Sequence, residues 1–160
     1  MKRLTLPLLT ALACLVSSGC AHDEESHNNN TPPTGKVEAC GGDTDVFAPG
    51  LVLAGAKGQV KVTLLQSEPQ VLSKGDHQWR VMVSNANGAA MPDAVLAVTP
   101  FMPEHNHGTT VAAAVTKGAV PGEFVLNPVN LFMVGLWRVT IDVTDQAAED
   151  SVVFRVCVKS

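Results

Sequence analysis

The chain has 160 residues, a formal net charge of −4 and 46% hydrophobic residues, but only 4% aromatic residues and no tyrosine. Its lysines and arginines are scattered, so the clustered basic surface that nucleic-acid binding needs is missing, and so few aromatics give no stacking surface for bases. The length suits one domain with short additional segments, and no repeat of solenoid length runs through it.

In chain order, the first residues read as an export signal. Met1-Lys2-Arg3 is positive, Leu4 to Val16 is apolar apart from Thr5, Pro7 and Thr10, and Ser17-Ser18-Gly19 is a small-residue stretch ending at Cys20. That order is a secretory signal, and its apolar run is shorter than the about 20 residues a spanning helix needs. A small-residue stretch ending in Gly before Cys resembles the bacterial lipoprotein signal, in which cleavage precedes the Cys and the Cys carries lipid. The expectation is a signal peptide over 1–19, lipid on Cys20 and a membrane-anchored protein facing the periplasm or the cell surface. Ser17 stands where that signal usually has Leu, so ordinary secretion with a cut near Ala21 is the alternative. Residues 20–36 are polar, rich in Asn, Pro and Thr, and lack apolar periodicity, which is a flexible tether. His22 and His27 in it read as solvated linker residues.

Four cysteines are present: Cys14, Cys20, Cys40 and Cys157. Removing Cys14 with the signal and lipidating Cys20 leaves Cys40 and Cys157, which can pair in an oxidising compartment; two unpaired thiols are the alternative. The absence of a Cys-x-x-Cys motif favours a structural bond over a redox one.

From Val60 onward the hydrophobic period is two. Val60/Val62/Leu64, Trp79/Val81/Val83, Trp137/Val139/Ile141/Val143 and Val152/Phe154/Val156/Val158 each alternate with mostly polar residues. Each run therefore turns one face to a core. Ala94 to Val98 and Val111 to Val115 are more evenly apolar strand candidates, and Glu123 to Val129 is another, with Phe124 and Leu126 inward. Turn signals separate them at Lys74-Gly75-Asp76, Asn85-Ala86-Asn87-Gly88, Lys117-Gly118, Pro121-Gly122 and Asp145-Gln146. The pattern predicts an all-β domain over 37–160, an immunoglobulin-like β-sandwich of about seven strands, with a small barrel as the alternative. By the same alternation Cys157 faces outward, so a bond to Cys40 clamps the N-terminal arm over the last strand.

Metal-ligating side chains gather in Thr99-Pro100-Phe101-Met102-Pro103-Glu104-His105-Asn106-His107-Gly108-Thr109. Two prolines stiffen it. His105 and His107, two apart, point the same way if the backbone is extended. A thioether beside imidazoles favours a soft ion, chiefly Cu(I), whereas imidazoles alone also suit Zn(II) or Cu(II). Met102 as a core residue and the histidines as ordinary loop residues is the competing reading. Met133, just before the Trp137 strand, either swings toward this loop or joins the core, and His77 is a weaker candidate. No Gly-x-Ser-x-Gly elbow, phosphate-binding Gly loop or His-Glu-x-x-His helix is present, so the chain is not expected to be an enzyme.

Gly88-Ala89-Ala90-Met91-Pro92-Asp93-Ala94, then Phe101-Met102-Pro103-Glu104-His105-Asn106-His107-Gly108, Gly122-Glu123-Phe124 and Met133-Val134-Gly135-Leu136-Trp137-Arg138-Val139 together resemble the YtkA-like family, related to FixH, over about residues 57–145. The resemblance implies an immunoglobulin-like sandwich outside a bacterial membrane. It also implies a link to copper handling and respiratory oxidase assembly, with Met102, His105 and His107 as ligands and Met133 as a further partner. A copper-donating or copper-accepting protein is then the expected partner, beside the membrane reached through Cys20. FixH proteins usually carry a spanning helix, and here a cleavable signal stands in its place. A metal-free structural or protein-interaction domain on a surface lipoprotein is the alternative function.

Overall fold

The computed structural model describes residues 40–159. The expected signal peptide, Cys20 and the tether lie outside the described residues. Among the described residues nine strands run in chain order: β1 (Val52–Ala54), β2 (Val60–Glu68), β3 (Gly75–Asn85), β4 (Val95–Met102), β5 (His107–Gly108), β6 (Ala114–Lys117), β7 (Glu123–Leu131), β8 (Gly135–Asp145) and β9 (Ala148–Val158). No helix occurs among the described residues. They form two sheets, one in the order β1-β2-β3-β7-β6 and the other β5-β4-β8-β9, and every pairing is antiparallel. The result is the immunoglobulin-like sandwich that the alternation predicts.

The core is made by that alternation. Val60, Val62 and Leu64 of β2, Trp79, Val81 and Val83 of β3, Trp137, Val139, Ile141 and Val143 of β8, and Val152, Phe154, Val156 and Val158 of β9 are all fully buried. Phe124 and Leu126 of β7 lie inward with them. Trp79 sits between the rings of Phe47 (centroids 4.8 Å) and Phe154 (5.6 Å, edge-on), a tilted and T-shaped arrangement that suits the ring quadrupoles.

The strand count exceeds the expected seven because β1 and β5 have three and two residues, too few for a period to show. Two boundaries also differ. The Val111–Val115 run is not a strand along its length: β6 begins only at Ala114, and Val111 is 41% exposed. Residues 109–113 cross from one sheet to the other, so their apolar character reflects small side chains rather than a buried face. At Lys74-Gly75-Asp76 a bend falls on Lys74, and β3 already begins at Gly75, so only the first residue of the expected turn lies outside the strand. In contrast, β4 runs past Val98 and through Pro100. Proline is tolerated there because β4 pairs with β8 on one side, while β5 reaches its other side only at Phe101 and Met102.

Two devices tie the sheets and edges together. Cys40 and Cys157 are joined by a disulfide with Cα atoms 5.7 Å apart. Beyond it, Asp45 N donates to Arg155 O at 2.8 Å, and Arg155 N donates to Asp45 Oδ2 at 2.7 Å. The arm thus covers part of the outer edge of β9, an edge that would otherwise offer itself to another chain. At the opposite end of β9, the buried Asp150 carboxylate accepts backbone N–H groups from Lys57 (2.8 Å), Gln59 (2.9 Å), Val60 (3.3 Å) and Ser151 (2.9 Å). It fastens the β1–β2 turn of one sheet to a strand of the other. Gly55 is required beside it, because a Cβ there would strike the Asp150 carboxylate.

Candidate metal site

The β4–β5 connection is a tight turn. Phe101 pairs with Gly108 and Met102 with His107, leaving Pro103–Asn106 as the loop. Asn106 N donates to Pro103 O at 3.3 Å, and Asn106 adopts φ 52°, a left-handed conformation that Asn tolerates better than most residues. Gly108 lies close to β4: a Cβ there would come within 2.6 Å of Pro100 O. After it, Thr109 Oγ1 donates to Asn130 Oδ1 at 2.7 Å, and Asn130 Nδ2 donates to Asp76 Oδ1 at 2.6 Å. The chain leaving the histidine loop is therefore pinned to β7 and β3.

His105 is exposed in the turn, and His107 is half-buried on β5. The extended backbone that would aim both the same way is absent, because the turn intervenes. Their rings are nevertheless neighbours, with centroids 5.7 Å apart. An imidazole bound at about 2.0–2.1 Å through one nitrogen puts its centroid about 3.2 Å from the ion. Two such rings on one ion are then at most about 6.4 Å apart, so the observed spacing fits a shared ion. His107 Nδ1 lies 3.2 Å from Gly108 O; as the donor in that contact it leaves Nε2 as the free lone pair, the arrangement common among metal-binding histidines.

The sulfurs stand differently. Met102 directly opposes His107 across the strand pair, which places both side chains on one face of the sheet. It is also fully buried, within the core. Met133 is partly buried and packs against that core, while its carbonyl accepts the Trp137 indole N–H at 2.9 Å. The two imidazoles thus meet at the surface and the two thioethers lie inward of them. His77 is buried on β3, and Ser73 O accepts from its Nε2 at 2.8 Å; among the described residues no side-chain hydrogen bond joins it to the loop. Among the described residues no group of three or more His, Cys, Asp or Glu comes together.

Phe132, which the spacing of ligand types does not single out, is part of the site. It is 43% exposed. His107 stacks on it with centroids 5.7 Å apart and planes 21° from parallel, and Phe132 in turn meets Trp137 edge-on at 5.5 Å. This aromatic staircase fixes the His107 ring against the end of the sandwich. Its only sequence sign is the Leu131-Phe132-Met133 run before the Trp137 strand.

A search of curated proteins gives no match. Among solved structures, PcoC, a methionine-rich copper resistance protein from Escherichia coli, is similar at 21% identity and a TM-score of 0.38, covering 60% of this chain and 96% of its own. A likeness that loose carries no conclusion about either fold or ligand. The model of the YtkA-like family matches residues 56–142, just over half of the chain and spanning β2 to β8. The chain belongs to the YtkA-like family.

Proposed function

We propose that this protein is an exported metal-binding module, with copper as the ion, that uses His105 and His107 as its outer ligands and draws on the thioethers of Met102 and Met133 behind them. The observation that carries this reading is the ring pair: two imidazoles 5.7 Å apart on a proline-framed turn, one of them directly across from a methionine. Imidazole and thioether together favour Cu(I), and the imidazoles alone also suit zinc. Engaging Met102 requires a change of its rotamer, because it starts inside the core. The pair presents an open, exchangeable site, which suits passing an ion to or from a partner protein, in line with the copper handling and oxidase assembly that the family resemblance implies. Nothing in the reading calls for catalysis, and lipid on Cys20 would keep the module at a membrane.

The test is titration of the protein with Cu(I) against a competing chelator. The His105→Ala/His107→Ala double variant is expected to lose high-affinity binding while keeping its strand content by circular dichroism. Equal binding by the variant and the wild type removes this site. Affinity is also expected to fall on acidification, because a protonated imidazole has no lone pair to give.

A second reading is supported by Phe132, an exposed ring beside His107: the same end of the sandwich docks a protein without metal. Capture of the partner unchanged by chelator and abolished by Phe132→Ala favours it.

A further inference from the structure

Two core side-chain nitrogens lack a partner among the described residues: His77 Nδ1 and Trp79 Nε1. The two residues are 1% and 0% exposed, so bulk water does not reach them. Buried polar atoms in native proteins are nearly always paired, with an internal water serving where protein groups do not.

Their chemistry defines what is missing. His77 Nε2 lies 2.8 Å from Ser73 O. A carbonyl only accepts, so Nε2 carries the proton and Nδ1 of the neutral ring is an acceptor. The Trp79 indole N–H is a donor only. The two stand two residues apart on the core-facing side of β3, one needing a proton donor and the other an acceptor. Neither ring is free to turn elsewhere: His77 is tied to Ser73, and Trp79 is wedged between Phe47 and Phe154. A cation would serve His77 but not the indole N–H, whereas an oxygen that both donates and accepts serves both.

The surrounding sheet is irregular at this level. Against β7 the register shifts between His77 and Trp79, with Val129 opposite the first and Leu126 opposite the second, so β7 carries an extra residue. Against β2 it shifts between Leu64 and Gln66, which flank the next turn of the pleat along β3. Bulges bend a strand away from regular pairing, and here both neighbours of β3 carry one.

We propose that a single internal water molecule sits on the core side of β3, accepting from Trp79 Nε1–H and donating to His77 Nδ1. It is a binding site separate from the histidine loop, and it completes the hydrogen bonding of the core beneath the segment that joins β2 to β3. A crystal structure at a resolution that orders internal waters is expected to show one oxygen within about 3 Å of both nitrogens. In solution, the Trp79 indole proton of the full-length protein is expected to show cross-relaxation with a long-lived water, and that signal should vanish in His77→Phe. Should that variant fail to fold, the wild-type signal alone decides. Two separate waters, an empty space, a direct contact of either nitrogen with protein, or a metal ion on Nδ1 would each overturn the proposal.

Discussion

Asp150 shows how much one side chain carries in this fold. Burial pushes its carboxyl toward the neutral form, yet the backbone N–H groups of Lys57, Gln59, Ser151 and Val60 outweigh that and hold it below the usual carboxylate range. Glu123, buried on β7, is held low chiefly by its hydrogen bonds from Arg80, whose Nε donates at 2.7 Å, against an opposing effect of burial. A carboxyl whose folded pKa is depressed stabilises the fold above its unfolded value, and that contribution disappears as pH falls through the folded value. For Asp150 the relevant window therefore opens near the ordinary aspartate value of 3.8 and extends downward. Asp150→Asn cannot accept from all four donors, and hydrogen bonds to a charged group contribute about 1.5–3 kcal/mol each. The expected loss is at least about 2 kcal/mol at pH 7, read from urea denaturation, and the gap to wild type should narrow when the measurement is repeated at pH 2.

At the scale of elements, the β4–β5 hairpin decides whether the histidines act together. β5 is held to β4 by two residue pairs, and Gly108 makes room for the second strand against Pro100. Gly108→Ala should push β5 away from β4 while leaving the main sheets intact. Far-ultraviolet circular dichroism should stay near wild type, and Cu(I) affinity should fall at least tenfold; unchanged affinity would mean that the hairpin does not position the ligands. Thr109→Val tests the other anchor, since it removes the hydroxyl that donates to Asn130. Its expected effect on affinity has the same direction and is smaller, because the β4–β5 pairing remains.

Over the whole molecule, the Cys40–Cys157 bond joins residues 117 apart in sequence. Closing a loop of that order removes chain entropy from the unfolded state that corresponds to about 4–5 kcal/mol. The double variant Cys40→Ser/Cys157→Ser should therefore melt well below wild type in a calorimetric scan, while β2–β9 still form. The arm retains its exchange of hydrogen bonds between Asp45 and Arg155 in that variant, so the edge of β9 should fray at position 157 first. Hydrogen exchange at positions 157 and 159 rising before that at Val156 would show it.

What could be read directly from the chain is the part governed by alternation. Every-second-residue burial is a local property of extended backbone, so Val60/Val62/Leu64, Trp79/Val81/Val83, Trp137 through Val143 and Val152 through Val158 declared their inward face without any knowledge of their neighbours. The grouping of Met102, His105 and His107 was legible for the same reason, being local in sequence. Only the tertiary structure decided the rest, because it depends on which distant segments meet. It turned the presumed extended His-x-His into a turn with its rings still adjacent, set Met102 inside the core, and brought Phe132 onto His107 from a different strand connection. The Asp150 carboxylate collects donors from some ninety residues away, and no pattern along a chain reports a contact made by the packing of one sheet on another.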